Sequence, residues 1–327
     1  MIEKTLWHPV AASEAVAQQP LGATLLEQPL VLWRDAAGGV HAWADQCPHR
    51  GARFSLGQVR DDRLECPYHG WQFAASGQCV RVPALPGFVP PAGHAVTVYA
   101  ACERYGLVWV QLQAPALPQE VVPFAAESDT RLRKLLCGPY DVATSAPRLV
   151  ENFLDMSHFA FVHEGWLGTR EASSIDDYRV DSTAQGLWAT QCKAWQPQSS
   201  LQATGPAQVE YSYAVEAPYT AVLTKLPDPA QVALQDYREA IALFICPQGP
   251  ERSRVWFRLA SNDWSSTDDA MRAFQHTIFT QDQPVLESQA PKRLPLDLRA
   301  ELHTAADKAS SAYRRYLKNL GITFGVC

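Results

Sequence analysis

Two short segments, Cys47-Pro48-His49-Arg50-Gly51 and Cys66-Pro67-Tyr68-His69-Gly70-Trp71, decide the fold of the first third of the chain, because each places one Cys and one His on a tight turn. Two thiolates and two neutral imidazoles can hold either one zinc ion or a two-iron, two-sulfide cluster with both imidazoles on one iron. The pattern therefore predicts a metal centre whose ligands are Cys47, His49, Cys66 and His69.

The order of these ligands separates the two kinds of centre. A zinc finger usually takes both Cys from one turn and both His from a helix, whereas here each turn supplies one of each and no helical pattern follows. The pattern favours a Rieske [2Fe-2S] cluster, in which His49 and His69 bind one iron and Cys47 and Cys66 bind the other. Trp71 can shield such a cluster from water. A zinc-stabilised structural or interaction protein is the alternative.

The stretch from His41 to Val82 resembles the Rieske domain of the Rieske non-haem iron oxygenases throughout. Residues 30–113 show short alternating apolar runs broken by Gly, Pro and Asp, which indicate strands. A Pro-rich segment over 114–123 then marks a boundary. We therefore predict an all-β domain over 1–114 and a second domain over 124–327.

The composition describes an ordinary globular protein. Of 327 residues, 47% are apolar and 19% are charged, and the formal net charge of −6 gives no case for nucleic acid binding. With no apolar run resembling a signal peptide or a membrane span, the expected location is the cytoplasm, with no membrane association. The other Cys residues form no disulfide-like framework and are expected to be small buried residues: Cys79, Cys102, Cys137, Cys192, Cys246 and Cys327.

The second domain has a mixed pattern. The sequence predicts a helix near 147–164, strands through 176–260, and helical stretches over 267–290 and 297–319. Alternate residues of three strand-like segments could line an apolar pocket, although most would serve equally well as core: Tyr211–Val215, Ala221–Thr224 and Ile241–Ile245.

His158 and His163 are candidate metal ligands on the first of these helices. Five residues apart, they stand about 140° from each other on a straight helix, so they converge only if the helix is widened or broken. Ordinary core or surface histidines are the alternative. Asn152 and Asp155 share part of the His158 face, and polar groups on an otherwise apolar segment need partners.

Two imidazoles and one carboxylate form the facial triad that holds Fe(II) with positions open for O2. Met271, Phe274 and Ile278 trace one apolar stripe, and Asp282 falls next on it. A carboxylate that continues a buried stripe is costly unless it is paired or bound to metal, so Asp282 is the predicted third ligand.

Other features near Asp282 leave alternatives. Ser266 with Asp269 resembles a capping box at the start of this helix, and Pro284 can distort the helix near the candidate ligand. Asp282 could instead cap a second helix that begins near Pro284. Glu287 is the second choice of carboxylate.

The run Asn152-x-x-Asp155-x-x-His158-x-x-x-x-His163, with the later Asp282, resembles the catalytic-iron signature of Rieske oxygenase α subunits, most closely the phthalate-dioxygenase-type branch with dicamba and vanillate O-demethylases. The resemblance implies an α+β helix-grip (START-like) catalytic domain with an antiparallel sheet. It also implies a terminal oxygenase with a [2Fe-2S] cluster and a mononuclear Fe(II). Such an enzyme uses O2 and electrons from NAD(P)H to hydroxylate or oxidatively dealkylate a small aromatic substrate.

The same resemblance implies a homotrimer in which Asp155 bridges His158 of its own subunit and His69 of the next, whereas an intrahelical contact or cap is the plain alternative. It implies that Asn152 is a hydrogen-bonding group near the iron, unless it is a core amide. A Rieske electron carrier fused to a nonenzymatic helix-grip ligand-binding domain is the alternative function, since it needs only the first metal centre.

Electrons must come from another protein, because the chain has no Gly-x-Gly-x-x-Gly fingerprint and no plant-type four-Cys pattern. A separate NAD(P)H-dependent reductase is expected, with or without a ferredoxin. Arg50, Arg53, Arg60 and Arg63 surround the Rieske segments and could attract an acidic donor, or could simply be solvated among neighbouring acidic residues.

Overall fold

The computed structural model describes residues 1–227, 230 and 238–327. The chain separates into two compact units, Ile2–Val121 and Val122–Cys327. The predicted fold class, an all-β domain followed by an α+β domain with an antiparallel sheet, is confirmed. In the described ranges, no helix is both long and apolar enough to cross a bilayer.

The first unit consists of two antiparallel sheets. The larger has the strand order β1-β10-β9-β4-β3-β2 and the smaller has the order β5-β6-β7-β8. The strands are β1 His8–Ala12, β2 Leu21–Leu25, β3 Gln28–Arg34, β4 Val40–Ala44, β5 Gln58–Arg60, β6 Arg63–Glu65, β7 Gln72–Phe73, β8 Cys79–Arg81, β9 Val98–Arg104 and β10 Leu107–Gln111.

Aromatic side chains fill the core of this unit. Trp33 and Trp43 meet edge to face with ring centroids 5.1 Å apart, and Phe54 and Phe73 meet in the same way at 5.1 Å. Such edge-to-face pairs add to the free energy gained from burial. The two Cys-His segments connect β4 to β5 and β6 to β7, so this core supports both of them.

The second unit is built on one antiparallel sheet. Among the described residues the strand order is β11-β17-β16-β15-β14-β13-β12. The strands are β11 Arg133–Val142, β12 Arg179–Thr183, β13 Gly186–Gln196, β14 Ala207–Ala217, β15 Thr220–Pro227, β16 Glu239–Gly249 and β17 Arg252–Ser261, and the helices are α1 Ala146–Leu154, α2 Phe159–Val162, α3 Asp268–Ser288 and α4 Lys308–Leu320.

The sheet buries one set of alternating side chains against the helices. In β14, Val209, Tyr211, Tyr213 and Val215 are buried, whereas the residues between them are more accessible. Helices α1, α3 and α4 contact the sheet and complete the core. The period of two predicted for residues 211–215 therefore places a specific row of side chains beneath the helices.

Side-chain caps begin the two helices that carry the site. Ser145 accepts a hydrogen bond from the Arg148 amide at the start of α1, and Thr267 accepts one from the Ala270 amide at the start of α3. The expected Ser266–Asp269 capping box is therefore wrong by one residue. Ser266 instead donates to the Asp263 carboxylate at 2.6 Å, which places it in the loop before the helix.

The structure also excludes one alternative and corrects one helix prediction. Helix α3 continues through Pro284, so no second helix begins there. Proline removes one backbone donor, but Pro284 and Thr280 are exposed, and water can satisfy the Thr280 carbonyl. The stretch predicted as helical over 297–319 forms an α-helix only from Lys308, after a short 3-10 turn capped by Thr304.

Candidate metal centres and substrate pocket

The two Cys-His segments of the first unit have the same backbone geometry. The Gly51 amide donates to the Cys47 carbonyl at 2.8 Å, and the Gly70 amide donates to the Cys66 carbonyl at 3.0 Å. Both glycines have positive φ, 73° for Gly51 and 66° for Gly70, a conformation that other residues adopt only with strain. The chain therefore makes the same tight turn twice and presents the Cys and His of each turn together.

The structure brings the four predicted ligands of this unit together. Cys47 and Cys66 are both 2% exposed, and the His49 and His69 rings lie 4.5 Å apart. Burial raises the pKa of the Cys47 thiol to about 12, and the neighbouring Cys66 adds to this effect. Burial thus keeps the Cys47 thiol protonated, whereas a bound metal ion would stabilise the thiolate.

One polar atom in this cluster supports a metal centre independently. The Nδ1 atom of His49 is buried and has no hydrogen-bond partner among the described residues. Trp71 stacks on the same ring, with centroids 4.3 Å apart and planes at 5°, and so covers it as expected. A buried nitrogen without a partner is costly, and a metal ion would satisfy it. The residues therefore fit a Rieske cluster.

The predicted helix over 147–164 is broken in the second unit. Helix α1 ends at Leu154 because the Asp155 carboxylate accepts a hydrogen bond from the Ser157 amide at 2.7 Å, which gives the backbone an alternative to the helix. The short helix α2 then begins after His158. This break, rather than a widened helix, turns His158 and His163 toward each other.

Gly168 keeps the segment after the break in place. A Cβ atom at this position would lie 2.7 Å from the Ala160 backbone, closer than such atoms approach. Only glycine therefore allows the loop that follows His163 to pack against α2.

Three candidate ligand atoms meet at one point in the second unit. The Nε2 atoms of His158 and His163 are 3.2 Å apart, and the Asp282 Oδ1 atom lies 3.3 Å from the first and 3.2 Å from the second. Ligands about 2.1 Å from one ion and on neighbouring corners lie about 3 Å apart. The spacing therefore fits two imidazoles and one carboxylate around a single cation.

Hydrogen bonds on the far side of each imidazole fix its orientation. His158 Nδ1 is 3.2 Å from Asp155 Oδ2, and His163 Nδ1 is 2.8 Å from Gln281 Oε1. Both partners are acceptors, so each Nδ1 carries the proton and each neutral Nε2 presents a lone pair. Two lone pairs and a carboxylate then face one another, an arrangement that requires positive charge between them.

The pKa shifts of these groups reflect the same demand for positive charge. Burial lowers the pKa of His158, but Asp155 and Asp282 outweigh this effect and raise the pKa to about 9. Burial raises the pKa of Asp282, but hydrogen bonds from His158 and His163 outweigh it and hold that pKa well below its usual value. Without a metal, a proton supplies the charge, and a divalent cation would displace it.

Of the other candidate residues, Asn152 contacts this cluster and Glu287 does not. The Asn152 amide donates to Asp282 Oδ1 at 3.2 Å, so Asn152 contacts a candidate ligand. Glu287 instead accepts hydrogen bonds from the Ala143 amide and from Gln283, and it lies outside the cluster. We did not single out Gln281 from the sequence, although its place beside Asp282 on the same helix could have indicated it.

The candidate triad forms part of a mostly apolar pocket between the helices and the sheet. The strand residues Tyr211, Tyr213, Leu223, Ile241 and Leu243 line this pocket, as the alternation of the three strand-like segments indicated. Two charged residues of the sheet, which the sequence pattern did not single out, also line it: Lys225 and Glu239. The pocket thus combines apolar walls with a few polar groups, as is usual for small-molecule sites.

Comparisons with known proteins agree with this geometry. Residues 6–100 match the Rieske [2Fe-2S] domain family, and residues 142–321 match the family of the vanillate O-demethylase oxygenase C-terminal domain. The chain belongs to the Rieske non-haem iron oxygenases. It is 32% identical over 325 residues to methylxanthine N1-demethylase NdmA of Pseudomonas putida, covering 96% of this chain and 88% of that protein.

Two further comparisons place the chain within this family. It is 37% identical over 163 residues to the oxygenase component of dicamba O-demethylase from Stenotrophomonas maltophilia, covering 49% of this chain and 47% of that protein. The solved structure of Pseudomonas putida CBB5 NdmA with caffeine superposes with a TM-score of 0.83 at 31% identity, covering 97% of this chain and 90% of that chain.

Family membership confirms several expectations. The chain is the terminal oxygenase component of a Rieske oxygenase system, with a [2Fe-2S] cluster and a mononuclear iron, and not an electron carrier fused to a binding domain. It uses O2, a small organic substrate and electrons from a separate reductase or ferredoxin.

Proposed function

We propose that this oxygenase removes methyl groups from the nitrogen or oxygen of a small heteroaromatic or aromatic substrate. The position of the triad carries this proposal, because His158, His163 and Asp282 lie at the wall of a pocket whose other sides are mostly apolar. Aromatic walls such as Tyr211 and Tyr213 suit a flat ring. Demethylation is also the activity named for the relatives that match the chain.

In this proposal His158, His163 and Asp282 hold the mononuclear Fe(II). When bound, the iron supplies O2 activation with electrons from the Rieske cluster. The protein contributes orientation and exclusion of water: the Asn152 amide positions Asp282 Oδ1, and the imidazole orientations are set by Asp155 and Gln281. The apolar walls keep water from the bound ring and hold the methyl group toward the triad.

Gln281 supplies a test of this assignment. We expect Gln281→Leu to lower the affinity for Fe(II) by about tenfold to a hundredfold, because the His163 ring loses the acceptor that orients it. Titration of the apo protein with Fe(II) under anaerobic conditions measures the change. Gln283→Leu is a control, since Gln283 bonds to Asp141 and Glu287 but to neither imidazole. Equal affinities in the two variants would count against the orienting role.

The first unit holds the cluster through Cys47, Cys66, His49 and His69 in this proposal. We expect Cys66→Ala to remove the visible absorption of the cluster, because one iron loses a thiolate. Cys79→Ala is the matched control, since Cys79 is buried in the same core cluster but belongs to neither turn. Loss of colour in the control alone, or a protein that contains only zinc, would contradict the assignment.

We further propose that the enzyme functions as a homotrimer in which Asp155 accepts a hydrogen bond from His69 of the neighbouring subunit. Asp155 already accepts from the His158 ring, and its Oδ1 atom accepts from the Ser157 amide, so its carboxylate has a fixed orientation. An ionised carboxylate can accept from both imidazoles at once. Sedimentation measurements would test the assembly.

The electron donor in this proposal is an NAD(P)H-dependent reductase, with or without a ferredoxin. Arg50, Arg53 and Arg60 are exposed near the two turns and would steer an acidic donor toward the cluster. Because NAD(P)H is a cytoplasmic reductant, we place the enzyme in the cytoplasm.

Product analysis tests the proposed activity. The metal-loaded enzyme, a reductase and O2 are mixed with matched N-methyl and O-methyl aromatic compounds. In demethylation one oxygen atom enters the methyl carbon, which leaves as formaldehyde, while two electrons and two protons convert the other oxygen atom to water. We expect equal amounts of formaldehyde and demethylated product. Ring-hydroxylated product without formaldehyde would overturn the proposal.

A further inference from the structure

A buried lysine lies in the wall of the substrate pocket. Lys225, in β15, is only 4% exposed and lines the pocket. Its ammonium group forms no hydrogen bond or ion pair within the described residues, and it lies 5.9 Å from the centroid of the Tyr211 ring. A buried ammonium group that donates no hydrogen bond is costly. Its retention in a ligand pocket points to a partner that arrives with the ligand.

A carboxylate lies beside this lysine. Glu239 on β16 is directly opposite Lys225, and Tyr211 on β14 is opposite it on the other side. Directly opposed residues of antiparallel strands project from the same face, and all three line the pocket. Burial lowers the pKa of Lys225, and the Glu239 carboxylate opposes this change. The pocket wall therefore presents a cation and an anion next to each other.

This charged pair lies on the sheet side of the pocket, whereas the triad lies on its helical side. Arg133 is opposite Ser261, which is in turn opposite Glu239, and Arg133 also binds Asp268 at the start of α3. Asp282 lies about four turns further along the same helix. A ligand that fills the pocket would therefore present one end to the triad and a different edge to the charged pair.

We propose that Lys225 and Glu239 bind the polar edge of a neutral heteroaromatic lactam, with the ammonium donating to a ring carbonyl and the carboxylate accepting from the adjacent ring N–H. This inference rests on the proposed demethylation and adds the class of substrate to it. The methyl group to be removed then lies at the opposite edge of the ring system, next to the triad.

The chemistry of the pair distinguishes this class from others. A benzoate has only acceptors at its carboxylate, and Glu239 would repel it. A ring without polar atoms would offer the Lys225 ammonium no acceptor and the Glu239 carboxylate no donor. A lactam edge offers one acceptor next to one donor and no net charge, so it matches both side chains at once.

Binding measurements on the metal-loaded enzyme without O2 test the inference. Theobromine has a ring N–H between two carbonyls, caffeine has a methyl group on that nitrogen, and 4-methoxybenzoate represents the carboxylates. We expect the unmodified chain to bind theobromine at least about tenfold more tightly than caffeine in calorimetric titrations, because only theobromine can donate to Glu239. Glu239→Met should remove this preference.

Lys225→Met should weaken the binding of both xanthines by about tenfold or more, because both retain the carbonyl that accepts from the ammonium. Lys193→Met is the control, since Lys193 is exposed on β13, and it should leave all affinities unchanged. If Lys225→Met does not fold, Glu239→Met still tests the hydrogen bond that the ring N–H donates to Glu239.

Three outcomes would overturn the inference: tighter binding of 4-methoxybenzoate than of theobromine, equal xanthine affinities in all variants, or no binding of any probe. Since binding requires no turnover, the two proposals can fail separately. A chain that shows the expected selectivity but releases no formaldehyde would contradict the demethylation alone.

Discussion

Asp282→Ala is expected to lower turnover by at least about a hundredfold. It should also remove the mononuclear iron while the Rieske spectrum remains. The carboxylate supplies one of three atoms that meet within 3.3 Å, and two imidazoles alone leave the ion without a charged ligand. Iron and sulfide analysis with visible spectroscopy measures both centres in one sample.

Glu287→Ala is the matched control for this change. Glu287 lies on the same helix and was the second choice of carboxylate, but it bonds to the Ala143 amide and to Gln283 outside the cluster. Its removal should leave the iron content unchanged. Full iron occupancy in Asp282→Ala, or loss of iron in Glu287→Ala, would show that a different carboxylate binds the metal.

Asp155→Asn is expected to lower turnover by about a hundredfold while both metals stay bound. The substitution preserves the size of the side chain and an oxygen that can accept from His158, but it removes the negative charge. In the proposed trimer this negative charge lies between His158 and His69 of the next subunit. There it stabilises the positive charge of the oxidised iron. Loss of the charge should therefore slow electron transfer between the centres.

Single-turnover measurements separate this positioning role from a structural one. Pre-reduced Asp155→Asn mixed with substrate and O2 should show much slower oxidation of the Rieske cluster at equal metal content. Asp177→Asn is the control, because it removes the same charge at an exposed position that pairs with Lys308. If Asp155→Asn transfers electrons at the normal rate, Asp155 acts only as the residue that ends α1.

The Rieske segments could be predicted in detail because their chemistry is local. Each turn contains its own Cys, His and positive-φ glycine, so a few adjacent residues specify both the ligands and the backbone that presents them. The roles of Cys47, Cys66, His49 and His69 as ligands remain predictions, but the structure places these side chains together.

The second centre could be predicted only in part, since its geometry depends on a competition within the backbone. Apolar periodicity indicates one helix through His158 and His163, whereas the Asp155 side chain captures the Ser157 amide and ends that helix. Periodicity does not reveal whether the Ser157 amide bonds within a helix or to the Asp155 carboxylate. The sequence pattern indicated only that the two imidazoles need a break in order to converge.

Long-range contacts were beyond prediction for similar reasons. Lys225 lies beside Glu239 in the pocket because of the register of β15 with β16 and because helices cover the sheet. No local sequence pattern indicates that register or that cover. The helix through Pro284 likewise depends on the exposed position of Thr280 and Pro284 in the fold. Because this side of α3 is exposed, the helix continues through Pro284 instead of ending before it.

A metal bound at the triad would connect parts of the second unit that are far apart in the sequence. His158 and His163 are close in the chain, whereas Asn152 and Asp282, which are joined by a hydrogen bond, are 130 residues apart. A metal bound to both segments acts as a removable cross-link that closes a long loop and lowers the entropy of partly unfolded states. Loading with metal should therefore slow amide exchange in α3 more than in α4, which carries no ligand.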